Sequence, residues 1–140
     1  MTFYYLDTCI WRDFYENRVS KSGTPLGKYA SLLFMKILKN KDHIIFSHSL
    51  ITELRKSYTD AQIHERLDLF LMTGLLIFVE ITNEEYAEAK ELSEERKIPF
   101  GDCLNAVQAR NHNAILVSQD KHFFENLTDI VKAVRPQELI

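Results

Sequence analysis

The chain has 140 residues, 46% of them hydrophobic, with 17 Lys and Arg against 20 Asp and Glu and a formal net charge of −3. A length near 150 residues suits one globular domain with a single core, so one domain over residues 1–140 is expected. The acidic balance argues against a protein that coats nucleic acid through its own surface potential, but not against a nucleic-acid substrate reached through bound cations.

No run of 18 apolar residues is present, and Met1 leads straight into a strand-like segment without a basic stretch, apolar core or cleavage site. A cytoplasmic protein without a membrane segment is the expectation. The two cysteines, Cys9 and Cys103, are too few for a thiolate zinc site or a disulfide framework and read as small buried hydrophobes.

Taken in order, FYYLD (residues 3–7) reads as a strand and TCIWRDFYENR (8–18) as a helix. After the turn-rich SKSGTP, LGKYASLLFMKILKN repeats apolar residues at helical spacing through Leu26, Tyr29, Leu33, Ile37 and Leu38. HIIFS is strand-like, SLITELRKSY is helical, and AQIHERLDLFLMTG is helical with Ile63, Leu67, Phe70 and Leu71 on one face. LLIFVEI (75–81) reads as the clearest buried strand.

TNEEYAEAKELSEERK opens with Thr82 and carries Glu85 three residues on, a capping box, and its Glu84, Glu88, Glu91 and Glu95 form a solvated stripe. A helix from about Cys103 to His112, the strand AILVS, a short helix HFFENL and a last strand DIVKAV complete the chain. Strands separated by helices predict an α/β fold, a parallel sheet with helices on both faces. Sites in such sheets form beyond the carboxyl ends of the strands.

That rule sorts the acids. Asp7 closes the first strand, Asp120 follows AILVS, Glu53 lies in the early turns of the helix after HIIFS, and Asp102 starts the helix leading into AILVS. Each has a plainer role open to it. Asp7 and Asp102 suit helix N-caps and Asp120 an Asx-turn. Glu53 sits at the wrong spacing from Ser47 and Ser49 for a capping box, which leaves a surface pair with Lys56 worth about 0.2–0.5 kcal/mol.

Together, four carboxylates at one sheet edge would repel unless a positive charge sat among them, and an all-oxygen donor set selects Mg²⁺ or Mn²⁺ over zinc. The five histidines are scattered without metal-binding spacing, and His122 stands out only by lying two residues from Asp120. Arg12, one turn past Asp7, and Lys121, beside Asp120, are the candidates for phosphate contacts.

LDTCIW, FSHSLITEL and FGDCLNAVQARNHNAILVSQDKHF, with the order and context of their acids, resemble the PIN-domain ribonucleases, most closely VapC-type toxins of toxin–antitoxin pairs. The resemblance covers essentially the whole chain. It implies a PIN-like three-layer α/β/α sandwich in which Asp7, Glu53, Asp102 and Asp120 hold one or two Mg²⁺ or Mn²⁺ ions and hydrolyse RNA phosphodiester bonds. Thr8, Asn105 and Ser118 match supporting positions of the family. The same resemblance implies a cognate antitoxin and a homodimer, and the apolar residues between Trp11 and Phe34 are expected to supply those contacts.

Two other readings stand beside it. A haloacid-dehalogenase-type phosphatase needs a second Asp two residues after the first, where this chain has Cys9. A non-catalytic PIN-like module binding RNA or protein would share the fold without cleaving.

Overall fold

The computed structural model describes all 140 residues. Five parallel strands form one sheet: β1 (Phe3–Leu6), β2 (His43–Phe46), β3 (Leu76–Phe78), β4 (Ile115–Val117) and β5 (Ala133–Val134). Their spatial order is β3-β2-β1-β4-β5, with Tyr4 opposite both Ile44 and Ile115. The chain therefore winds outward from β1 in one direction and returns to β1's other side with β4. The crevice between the carboxyl ends of β1 and β4 is the switch point at which such sheets bind ligands.

Helices α1 (Thr8–Glu16), α2 (Leu26–Asn40), α3 (His48–Leu54) and α4 (Asp60–Leu71) supply the core on one face of the sheet. Helices α5 (Asn83–Arg96), α6 (Phe100–Asn111) and α7 (Lys121–Glu125) serve the other. Strand alternation divides the load: Tyr4, Leu6, Ile44 and Phe46 face the first core, and Tyr5, Ile45 and Leu116 the second. The three-layer α/β/α arrangement expected from the alternating periodicities is the one observed.

Several details differ from the sequence reading. LLIFVEI contributes only the three residues of β3, and they form an edge strand on which Phe78 is 54% exposed. Its apolar character serves two cores, Leu76 packing on the first and Ile77, Val79 and Ile81 on the second, which imitates the composition of a central strand. DIVKAV likewise yields only the two residues of β5. Helix α1 stops at Glu16 because Asn17 turns left-handed at φ 48°. Helix α4 starts one residue earlier than its apolar pattern, since Thr59 and Gln62 form a capping box.

The apolar residues from Trp11 to Phe34 are not a spare surface. Trp11 and Leu33 are fully buried, and Trp11 packs 5.1 Å from Phe34 and 5.2 Å from Phe70 between ring centroids. Helices α1, α2 and α4 close this aromatic cluster among themselves, so the expected exposed patch has moved. Of the expected residues Leu32 stays exposed, and beyond them Met35, Leu38 and Leu69 stand outside at the rim of an apolar groove between α2 and α4.

Candidate active site

Asp7 follows β1 directly, and its amide extends the ladder by donating to Val117 O at 3.0 Å. Its backbone begins α1, with the Asp7 carbonyl accepting from Ile10 N at 2.9 Å, but its side chain makes no capping bond. The carboxylate instead turns into the crevice between β1 and β4. Asn105 Nδ2 donates to Oδ1 at 3.0 Å, and Ser118 Oγ and Cys9 Sγ donate to Oδ2 at 2.9 and 3.4 Å. The side chain of Asp7 is thus held by three donors, from α6, from the residue after β4 and from Cys9 of α1, and caps no backbone amide of the helix it starts.

Burial raises the Asp7 carboxyl above its ordinary range, and the bonds from Ser118 and Cys9 oppose that rise. Ser118, fully buried at the end of β4, also accepts from Asp120 N at 2.9 Å, so one hydroxyl sets the positions of two acids. Asp120 in turn caps α7 through Oδ1, which accepts from His122 N at 2.9 Å. Its local role as a cap and its place at the sheet edge coexist, because a carboxylate has a second oxygen to offer.

Asp102 is not an N-cap. Helix α6 begins at Phe100 behind Pro99, which places Asp102 within the first turn and Asn105 one turn further on the same side. Asp102 Oδ2 is buried with no hydrogen-bond partner. Burial, and then the charges of Asp7, Asp120 and Glu53, push the Asp102 carboxyl up to about 7. Glu53, from α3, approaches the start of α6 where Gly101 leaves room: a Cβ there would stand 3.2 Å from Glu53 Oε1. Ser47 caps α3 by accepting from Ser49 N, and Glu53 takes no part in that cap.

Asp7, Glu53, Asp102 and Asp120 line one open cleft of about 860 Å³, together with Thr8 and Asn105. Within it, ligand atoms of Asp102, Asp120 and His122 lie within 4.8 Å of one another. The orphaned Asp102 oxygen and the crowding of acids around it are what a hard divalent cation would satisfy, and the carboxylate oxygens suit Mg²⁺ or Mn²⁺.

The cations around the cleft are not quite those expected. Arg12 lines it while pairing with Glu16 at 2.9 Å, but Lys121 is exposed and lies outside the lining, because its side chain leaves α7 toward solvent. Lys56 lines it instead and holds both oxygens of Glu53 at 3.1 and 3.2 Å. The surface pair considered for Glu53 is therefore real, yet it stands at the mouth of the cleft. Arg18 is also at the wall but is committed to the buried Asp13 at 2.8 Å and to Cys9 O.

Sequence reasoning missed two contributors. Cys103 is fully buried as expected, but Cys9 is half-buried and bonded to Asp7 and Ser118, and burial beside Asp7 raises its thiol well above the ordinary value. Tyr5 lies one strand period before Asp7, and its hydroxyl stands 3.0 Å from Asn105 Oδ1 and 2.9 Å from Gln108 Oε1. Its single proton serves one of them at a time. Strand alternation already puts residues 5 and 7 on one face, which was the available signal for Tyr5.

The family model for the PIN domain matches residues 4–128 of this chain. Among solved structures, the fold is similar to that of "VapBC2 from Rickettsia felis bound to a DNA fragment from their promoter", with TM-score 0.67 and 22% identity over 96% of this chain and 98% of that one. It is similar to a toxin-antitoxin complex from Klebsiella pneumoniae at TM-score 0.65 and 15% identity, covering 95% and 97%. FitAcB from Neisseria gonorrhoeae gives 0.61 and 19%, again covering 95% and 97%. No curated protein matches the chain by sequence. At these identities the structural likeness speaks for the fold.

Proposed function

Because the chain belongs to the PIN-domain family, we propose that it is a divalent-metal-dependent endoribonuclease and the toxin of a type II toxin–antitoxin pair. The observation that carries this reading is the convergence of Asp7, Glu53, Asp102 and Asp120 on one cleft, with Asp102 driven up to about 7 by burial and the other three. A cluster so arranged is unfavourable alone and favourable around a cation.

In this reading the four carboxylates are the metal ligands. When bound, Mg²⁺ or Mn²⁺ supplies an acidified water near neutral pH and a Lewis acid for the phosphoryl oxygens. The chain's own residues set the geometry. Ser118 and Asn105 fix the Asp7 carboxylate, Tyr5 fixes Asn105 from below, and Thr8 lines the cleft next to Asp7. Arg12 and Lys56, at the mouth, are placed to meet backbone phosphates once their acidic partners engage elsewhere.

An antitoxin partner follows from the same reading, supported by the structural neighbour named as a toxin-antitoxin complex from Klebsiella pneumoniae. The apolar groove between α2 and α4, rimmed by Met35, Leu38 and Leu69, is the surface available for it or for a second copy of the chain.

The test is cleavage of single-stranded RNA by purified protein with Mg²⁺ or Mn²⁺, with and without EDTA. Cleavage that needs the ion and disappears with the chelator is expected. Cleavage that survives EDTA in a nuclease-free preparation refutes the mechanism, and RNA binding without cleavage under any ion favours a non-catalytic module.

A further inference from the structure

His122 is the one nitrogen donor grouped with the acids at the sheet edge. Its ligand atom lies within 4.8 Å of those of Asp102 and Asp120. Donors about 2.1 Å from one ion stand about 3–4.2 Å apart, so the three need close by only a few tenths of an ångström to share one.

The backbone of the histidine is held there by its amide, which donates to Asp120 Oδ1 at 2.9 Å. Its Nδ1 lies 3.4 Å from the donor-only Asn126 Nδ2, a contact that a ligating ring would exchange for the ion, either by binding through Nδ1 or by moving its proton from Nε2 to Nδ1. Asp102, one of the three, also carries a buried Oδ2 that is short of a partner.

We propose that His122 is a nitrogen ligand of the cation bound at this cleft and that it tilts the site toward Mn²⁺ over Mg²⁺. The proposal rests on the metal-dependent reading above. Mg²⁺ favours oxygen donors and retains its waters, whereas first-row transition ions accept imidazole readily. A neutral donor also adds a bond without adding negative charge to a cleft that already holds four carboxylates.

The experiment is metal binding to the full chain, stripped with EDTA and then titrated calorimetrically with Mn²⁺ or Mg²⁺, with pulsed EPR on the Mn²⁺-loaded protein. Wild type should show ¹⁴N coupling to Mn²⁺. His122→Gln should lose it and bind Mn²⁺ about tenfold more weakly, with Mg²⁺ affinity changed by about twofold or less. His48 also lines the cleft, and His48→Gln should keep the nitrogen signal.

Unchanged melting of His122→Gln in EDTA confirms that it folds, and His122→Asn serves as a second variant for the same readouts. Nitrogen coupling that persists without His122, or equal losses for both ions, overturns the proposal while leaving the metal site standing. Absence of binding by either ion to wild type overturns the metal-dependent reading itself, and the proposal with it.

Discussion

Replacing Asp102 by Asn should make the metal-free protein more stable, and most of all at high pH. The Asp102 carboxyl is raised from its ordinary 3.8 to about 7, which amounts to about 4 kcal/mol against its ionised form. The cleft is open to solvent, and screening cuts this to about 2 kcal/mol. The sign follows from the direction of the shift. Above pH 7 the folded chain carries an ion it disfavours. As pH falls from 7 toward 3.8, the folded state takes up that proton before the unfolded state does, and the cost is relieved.

Asn imitates the protonated acid at every pH, offering one oxygen and one N–H donor toward Asp120. In EDTA at pH 8 the variant should therefore melt about 6 °C above wild type. By pH 5 wild type has recovered most of the difference, and the gap should fall to about 2 °C. Mn²⁺ or Mg²⁺ at about 100 times its dissociation constant should add about 2.7 kcal/mol to wild type and much less to the variant, closing or reversing the order. Differential scanning calorimetry at the two pH values, with and without ion, makes the measurement. A variant less stable than wild type at pH 8, or an advantage of equal size at both pH values, would refute the like-charge reasoning.

Asp7→Asn should keep the fold, since Asn starts a helix as well as Asp does, and should lower RNA cleavage by orders of magnitude in a gel assay. Retained cleavage would return Asp7 to a purely structural role. Tyr5→Phe should cost about 1–3 kcal/mol in a denaturant titration, because Asn105 and Gln108 lose a buried partner, and should slow cleavage by loosening Asp7; an unchanged midpoint and rate would remove Tyr5 from the site's support. Trp11→Ala should cost about 3–5 kcal/mol, given its full burial between Phe34 and Phe70; a loss under 1 kcal/mol would show the aromatic cluster to be loosely packed. Light scattering should give a mass of two chains, falling to one with Leu69→Arg at the α4 groove, and a single-chain mass for wild type at high concentration counts against the dimer.

The acids were legible because β1, β2 and β4 end abruptly, and parallel sheets collect such ends on one side. Asp7 and Asp120 follow their strands immediately, so short-range pattern sufficed. The start of α6 was not legible: Pro99 and Gly101 look like loop punctuation, yet Pro99 caps the helix and Gly101 lets its first turn pass Glu53. Helix ends at Asn17, Lys41 and Lys97 adopt positive φ without glycine, which removes the usual stop signal. The polar network of Tyr5, Asn105 and Gln108 joins residues about a hundred positions apart, and no local periodicity encodes such a contact. Exposure of the α2–α4 groove was equally hidden, because composition counts apolar residues without saying which of them find one another.

The brevity of the outer strands limits how this molecule can meet its own kind. β3 offers three residues along one border of the sheet and β5 two along the other. So little unpaired backbone is a poor template for a foreign strand, which protects the chain from ladder-type aggregation even with Phe78 half outside. Any lasting assembly must then be written in side chains rather than in main-chain hydrogen bonds, across helices whose register can be altered one residue at a time. Substitutions on such a surface can change what it meets while the sheet, and the acids gathered at its end, stay as they are.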